Sequence, residues 1–417
     1  MKARYQYRFY PTDQQQQSLA QLFGCVRVVW NDALVMCKQA EKLPGFNKLS
    51  ALLTQTKKTI ERGWLADVSA VPLQQSLRNL DVAYRNFFNS RNGKRKGGKM
   101  GIPKFKKKTN KQSAEFTKAA FSIGGKKVYL AKIGDVQPIW SRDLPNIPSS
   151  VTVIKDCANR YFLSFVVEIE PIYTEAKNQS IGIDLGLKTF AVMSNGEKAF
   201  SPDYSNTDRK IRKLQRKLAR QQKDSKRRRL TRVRIAKLHN KTADTRKDFL
   251  HKLSTKIVSE NQTIVLEDLN VAGMVKNRKL SRAISQQGWG EFRSLCEAKC
   301  EKFAGQLVGS PLVGSPAQND QRGTRLAGRA FQVISRWAPT SQVCSSCGFR
   351  WGKIDLSVRS VVCLNCHTEH DRDENASKNI AMVGTGNWHD LKWTGSDSKT
   401  TSVANCDELS RILTPSG

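Results

Sequence analysis

Acidic residues are scarce in this chain. Its 417 residues carry 36 Asp and Glu against 71 Lys and Arg, a net charge of +35 with a pI near 10.0. An excess of this size repels itself unless a polyanion neutralises it. DNA or RNA fits that role, with binding that weakens as salt rises; the plainer reading is a soluble basic protein. Long apolar runs are absent too. No stretch of about 18 apolar residues occurs, so no membrane-spanning helix and no membrane partner are expected. The opening M-K-A-R-Y-Q-Y-R-F-Y-P alternates basic and aromatic residues and lacks the apolar region of a signal peptide. Repetition is confined to two copies of L-V-G-S-P at 307–316, too little for a solenoid. Cysteine is plentiful at ten, yet Cys25, Cys37, Cys157, Cys296, Cys300 and Cys406 are scattered singly. That pattern suits a reducing cytoplasm better than a disulfide scaffold.

The length allows two to four domains. Alternating Tyr5, Tyr7 and Phe9 predict a strand closed by Pro11. From Gln14, apolar residues at spacings of three and four (Leu19, Leu22, Phe23, Val26, Val29, Trp30) predict a helix, and Leu73, Leu77, Leu80, Tyr84 and Phe87 mark another. A Gly/Lys-rich stretch, 92–108, reads as a mobile basic loop. Strand-like runs dominate from about 116 to 172, so the natural parse is a β domain interrupted by a helical insert. Beyond Ile181 the texture is α/β. I-G-I-D-L-G is a strand, 207–260 is helical with a break near 221–229, T-I-V-L-E is a buried strand, and Trp289–Gly305 is a helix. The strand F-Q-V-I-S-R-W precedes the cysteine knuckles, and the Gly/Ser/Thr-rich tail after Met382 is expected to be disordered.

Two signals adjoin in 344–380. Cys344/Cys347 and Cys363/Cys366 form two Cys-x-x-Cys knuckles separated by the fifteen residues 348–362. Four thiolates so spaced suit one tetrahedral, structural Zn2+. His367 and His370 are rival ligands, but four cysteines already close the shell. Three acids stand out by position. Asp184 lies in I-G-I-D-L-G, where small glycines allow close approach of backbone or substrate. Glu267 ends an apolar strand, and Asp373 begins a helix. Burying an unpaired carboxylate is costly, which makes sense if all three converge on Mg2+, an ion held by oxygen ligands. Two such ions about 4 Å apart hydrolyse phosphodiesters in many nucleases. Each acid alone has a duller reading as a turn residue, an ion-pair partner or a helix cap, and Asp371 rivals Asp373. The basic stretches 94–108 and 209–246 have the composition of nucleic-acid contacts, with Lys104, Lys106, Lys107, Arg212, Arg216 and Arg228 as candidates. Gln74, Gln75, Arg78 and Asn79 carry side chains of the groove-reading type, although exposed polar helix residues look the same.

The motifs I-G-I-D-L-G-L-K-T-F-A-V, V-L-E-D-L-N-V, S-Q-Q-G-W-G-E-F, S-Q-V-C-S-S-C-G and H-D-R-D-E-N-A-S-K-N-I, in this order, resemble the signatures of the TnpB (OrfB) family of insertion-sequence proteins. The likeness runs from R-F-Y-P to about Ile380. It implies an RNA-guided DNA endonuclease related to type V CRISPR effectors. The implied fold is α/β plus β-barrel: a RuvC-like, RNase H-type nuclease domain with a zinc-ribbon insert, and an N-terminal wedge β-barrel holding a helical recognition insert. The implied bounds are 1–12 and 113–175 for the wedge, 13–112 for the insert, 176–340 and 367–385 for the nuclease, 341–366 for the zinc ribbon and 386–417 for the tail. The resemblance places the catalytic, Mg2+-binding acids on Asp184, Glu267 and Asp373, since the second Asp of D-R-D is the family's catalytic one. The zinc falls on Cys344, Cys347, Cys363 and Cys366. Partners would be a guide RNA from the transposon end, bound by one copy of the chain, and a double-stranded DNA target beside a short motif read near Gln74. Rival functions are an RNA-guided DNA-binding regulator that does not cut and a transposase acting directly on DNA. One departure from the family pattern stands out: about twenty extra residues, 311–329, lie between the W-G-E-F helix and F-Q-V-I. If these displaced the strand, the zinc insert and Asp373 would move with it.

Overall fold

The protein was analysed as a computed structural model that describes residues 1–386 except 96–97, 308–317, 320–324 and 356. The tail beyond 386 and most of the L-V-G-S-P insertion lie outside the described residues. The chain forms two compact units, one of residues 1–169 and 213–237, the other of 170–212 and 238 onward. Residues 213–237, expected within the nuclease span, therefore group with the N-terminal unit.

In the first unit β1 (Lys2–Phe9) leads to the helices α1 (Asp13–Gln39), α2 (Phe46–Thr56) and α3 (Ala70–Arg91). Six strands follow: β2 (Gln112–Thr117), β3 (Phe121–Gly124), β4 (Lys127–Leu130), β5 (Gly134–Val136), β6 (Ser150–Lys155) and β7 (Tyr161–Glu168). β1 pairs antiparallel with β7 from Lys2↔Glu168 to Phe9↔Tyr161, so the first strand joins strands that follow the helices. The pairing gives an open four-stranded sheet, β1-β7-β6-β2, and a three-stranded one, β3-β4-β5, over one core. The barrel expected here thus takes the form of two hydrogen-bonded sheets.

Helix α1 starts at a capping box in which Thr12 and Gln15 exchange hydrogen bonds. By length and composition it could cross a bilayer, against the expectation from apolar runs. It nevertheless buries ten residues in this core, from Leu19 to Cys37. The Ser76 hydroxyl donates to the Val26 carbonyl at 3.1 Å and ties α3 to it. Helix α2 was missed in the sequence because only Leu49 and Leu53 of its eleven residues are buried.

The second unit contains β8 (Ile172–Tyr173), β9 (Asn178–Leu185), β10 (Ala191–Met193), β11 (Lys198–Ala199), the parts of α4 (Ser205–Arg220) and α5 (Lys226–Glu260) outside 213–237, β12 (Asn261–Glu267), α6 (Val271–Met274), α7 (Ser281–Gln287) and α8 (Trp289–Lys302). After them come β13 (Phe303–Leu307), β14 (Gln318–Asn319), β15 (Arg325–Gly328), β16 (Ala330–Ile334), β17 (Ser360–Val362), β18 (Glu369–Asp371) and α9 (Arg372–Thr385). Its central sheet has the order β11-β10-β9-β12-β16. β9, β12 and β16 run parallel, while β10 is antiparallel to β9. Buried Ile181, Ile183, Ile264 and Leu266 pack with Phe190, Leu250 and Phe292 on one face.

α8 stops at Lys302, short of the expected Gly305, because Phe303 turns to an extended backbone and pairs with β8. β16 keeps its place, pairing with β12 from Thr263↔Ala330 to Glu267↔Ile334, so the extra residues upstream have not displaced it. Arg329 pins the junction. Its buried guanidinium donates to the carbonyls of Ser259 (3.0 Å), Asn261 (3.2 Å) and Thr174 (3.1 Å). Ser259 belongs to the last turn of α5, where the helix dipole favours a cation.

On the other face α9 lies against β9 with no room for a side chain between them. A Cβ at Gly182 would come 2.1 Å from the Ser377 carbonyl oxygen and 2.4 Å from the Ala381 nitrogen. One at Gly384 would come 2.3 Å from Cγ1 of the buried Val265. The glycine of I-G-I-D is thus needed for the approach of a helix backbone. Gly182→Ala should therefore destabilise this unit by about 3 kcal/mol or more, since overpacking against backbone cannot relax by a rotamer change. Gly101→Ala, where the new atom meets open space, should leave chemical denaturation unchanged.

Candidate functional site

The parallel pairing carries β9 and β12 side by side, with Leu266 opposite Ile183, and both strands end one or two residues later. Asp184 and Glu267 therefore emerge together at the carboxyl edge of the sheet. α9 is held against that sheet through Gly182, which brings Asp373, its second residue, to the same edge. The electrostatics record the convergence. Some surface of Asp184 stays accessible, but its carboxyl is enclosed by protein. Burial first, then the charges of Glu267 and Asp373, push its pKa up to about 7, against the Leu185 amide and Arg372. Burial also raises Glu267, opposed by the Thr340 hydroxyl, which donates to its Oε1 at 2.7 Å.

Asp373 has a cationic partner. The Arg359 guanidinium, from the segment between the knuckles, donates to its Oδ2 at 3.1 Å and its Oδ1 at 3.3 Å. Asp371 is occupied otherwise: it caps α9, accepting from the Asp373 and Glu374 amides, and pairs with Lys198 at 2.7 Å. Asp268 is paired with Arg293 and Arg336, and Glu374 with Lys378. Among the carboxylates at this edge, Asp184 and Glu267 have no cationic side chain bonded to them among the described residues. Hard oxygen donors with uncompensated charge suit Mg2+. The fit is an open one, because among the described residues only the cysteine quartet brings three or more ligand atoms within 4.8 Å of one another.

That quartet fits zinc closely. The Sγ atoms of Cys344 and Cys366 are 3.7 Å apart and those of Cys347 and Cys363 3.5 Å apart. A tetrahedral ion with bonds of about 2.3 Å requires sulfurs roughly 3.8 Å apart. His370 is buried with Nε2 3.1 Å from the Cys344 sulfur, placed to support a ligand. His367 occupies a left-handed turn at φ 56°. Two asparagines of α9 clasp the first knuckle. Asn375 donates to the Val343 carbonyl at 2.7 Å and accepts the Ser345 amide at 2.8 Å, while Asn379 donates to the Thr340 and Val343 carbonyls, both at 2.7 Å. Sequence reasoning passed over them. Their signal was the spacing of four within D-E-N-A-S-K-N, which puts both on one helix face.

The expected nucleic-acid residues lie in the first unit, except Arg212. Gln74 is exposed and Gln75 half-buried on α3. Arg78 stacks over the Phe46 ring at 4.3 Å, and Asn79 donates to Glu115. Lys104 and Lys107 are exposed. Lys106 lies over the Trp30 ring at 4.0 Å, and burial lowers its pKa to about 8, so it is a poor free phosphate ligand. Arg212 and Arg216 are exposed on α4. Arg228 is a helix cap, donating to the Gln221 carbonyl at 2.8 Å and to that of Leu218. A cavity of about 490 Å³ gathers Arg27, Lys108, Lys155, Arg229 and Arg232; Lys108, Arg229 and Arg232 come from the two basic stretches expected to bind nucleic acid, Arg27 and Lys155 from outside them.

Comparison with known proteins bears on most of the chain. Residues 164–278 match the OrfB_IS605 family model, described as "Probable transposase". Residues 1–42 match a "Helix-turn-helix domain", although here they form β1 and the single helix α1, and 323–380 match a "Cas12f1-like, TNB domain". A Streptomyces pristinaespiralis protein named "Putative RNA-guided DNA endonuclease" is 40% identical over 393 residues, 92% of this chain and 90% of that protein. A protein of Escherichia coli K12, "Putative RNA-guided DNA endonuclease InsQ", is 27% identical over 91% of this chain and 92% of its own length. A cryo-EM structure of a Cas12f1–sgRNA–target DNA complex aligns with TM-score 0.48 and 12% identity, covering 91% of this chain and 98% of that one.

Two outcomes follow from this geometry. The raised Asp184 gives a defined pH dependence. Below about pH 4 both folded and unfolded forms are protonated and no penalty exists. Between about 4 and 7 the folded state holds the proton that the unfolded state has released, so stability falls as pH rises. In metal-free protein Asp184→Asn should therefore raise the Tm of this unit by several degrees at pH 8 and leave it unchanged at pH 4. In the zinc region, Asn375→Ala leaves the Ser345 amide unpaired, while the Val343 carbonyl keeps Asn379, and should cost about 1–3 kcal/mol, read as faster loss of zinc to a chelator.

Proposed function

The chain belongs to the TnpB (OrfB) family of insertion-sequence proteins, and from that premise we propose that it is a Mg2+-dependent, RNA-guided DNA endonuclease with a RuvC-like catalytic unit. The observation that carries the reading is the meeting of Asp184, Glu267 and Asp373 at one sheet edge, where burial and then the charges of the other two lift Asp184. A DNA-binding regulator has no use for that repulsion. In the proposed reaction a guide RNA from the transposon end selects the target by base pairing, and the protein reads a short flanking motif. The helix bearing Gln74, Gln75 and Arg78 is the proposed reader, and the exposed basic residues Lys104, Lys107, Arg212 and Arg216, rather than the engaged Lys106 and Arg228, are proposed to follow the phosphate backbones. The first unit corresponds to the wedge and recognition parts, the second to the nuclease and zinc ribbon.

Mg2+, when bound, would activate a water and stabilise the leaving 3′-oxygen of the phosphodiester. The protein's own groups prepare that chemistry. Asp184 would have to lose its proton to hold the ion, so metal binding would weaken as pH falls below about 7. Thr340 fixes one oxygen of Glu267. Arg359 orients the Asp373 carboxylate until it is needed. Asp371, as the helix cap, keeps the first turn of α9 formed and takes no direct part. The zinc is structural and holds the knuckle that Asn375 and Asn379 join to α9.

The test is purification from cells carrying the transposon end, followed by plasmid cleavage with and without Mg2+. Asp184→Ala should abolish cutting while the RNA still co-purifies; cutting that survives loss of all three acids would overturn the assignment. The two acids of D-R-D should also separate. Asp373→Asn should lower the cleavage rate by roughly a thousandfold or more, whereas Asp371→Asn, which still caps the helix, should stay within about tenfold of wild type.

A further inference from the structure

The carboxyl edge that bears the acids also bears two exposed aromatic residues, one on each side. Across the sheet, Lys198 of β11 pairs with Val192 of β10, and Val192 with Asp184 of β9. On the other side Leu266 of β12 lies opposite Ile183, and Glu267 pairs with Ile334 of β16. Phe200 is the residue just beyond β11 and Trp337 lies three beyond Ile334. Phe200 is 64% exposed and Trp337 86%.

The turn that carries Trp337 is fastened at both ends to the Glu267 strand. The Asp268 amide donates to the Ile334 carbonyl at 3.0 Å, and Thr340 donates to Glu267 at 2.7 Å. Within it the Trp337 amide donates to the Ser335 hydroxyl and the Ala338 amide to the Ser335 carbonyl. Arg336, beside it, is held by Asp268. A large indole left in water on a turn this well secured is a presented surface. Phe200 is presented from β11, next to the Lys198–Asp371 pair. The two flank the acids across four strand spacings, roughly 19 Å.

We propose that Trp337 and Phe200 are base-stacking contacts that hold unpaired nucleotides of single-stranded DNA on either side of the scissile phosphate. This rests on the nuclease reading and assigns two positioning residues to its site. An unpaired base offers a π-face whatever its sequence, so aromatic platforms grip a strand without selecting one. Neither residue touches the reacting atoms, and both act by positioning.

The experiment uses the full chain purified with its accompanying RNA and a single-stranded oligonucleotide carrying 2-aminopurine near its centre. Without Mg2+, wild type should quench the fluorescence, and Trp337→Ala and Phe200→Ala should each weaken binding about tenfold and lose part of the quench. With Mg2+ the KM for single-stranded DNA should rise by a similar factor while kcat stays within about twofold. The slope of log affinity against log salt should be unchanged, because no phosphate contact is removed, and Trp337→Phe should recover most of the loss. Unaltered quench and KM in both alanine variants would overturn the proposal even if wild type cuts. Failure of wild type to cut, with the quench intact, would overturn the nuclease reading and leave the stacking standing.

Discussion

Everything at the candidate site depends on the contact of α9 with β9 at the distance of two backbones. Gly182 has no side chain because none fits. That closeness brings the first turn of α9, and so Asp373, to the sheet edge where Asp184 and Glu267 end their strands. It also presents Asn375 and Asn379 to the first zinc knuckle. The zinc centre and the acidic edge are thus two consequences of one packing decision.

The same closeness sets the electrostatics. Asp184 is enclosed by protein near two other carboxylates, and its raised pKa reflects first the cost of burying its charge and then their repulsion. Proteins keep such groups where a ligand relieves the penalty. The neighbouring acids show the contrast. Asp268, Asp371, Asp373 and Glu374 each have a lysine or arginine partner. For Asp373 that partner is Arg359, on the segment between the knuckles, so a residue of the zinc insert touches the candidate site directly.

Much of this was legible in the sequence. The knuckle spacing named the zinc ligands, and strand ends named Asp184 and Glu267, because both signals are local. D-R-D by itself left Asp371 as a rival, which the family resemblance decided for Asp373; the structure adds that Asp371 is engaged by Lys198 and the α9 amides. What could not be read was long-range. Arg359 lies fourteen residues from Asp373, and Arg329 reaches back to Thr174 across 155; neither leaves a periodic trace. Arg228 looked like a phosphate contact in a basic run, but composition does not reveal that a guanidinium already caps a helix. Short strands such as β17 and β18 fell below any periodicity.

The central claim is that three carboxylates are assembled at the cost of repulsion in order to hold a divalent cation. Calorimetric titration with Mn2+ at pH 6.5, in buffers of different ionisation enthalpy, tests it most directly. Binding should release about three-quarters of a proton, the share Asp184 carries at this pH with a pKa of about 7, and Asp184→Asn should remove both the release and most of the affinity. Cation binding without proton release, or binding indifferent to that substitution, would contradict the account.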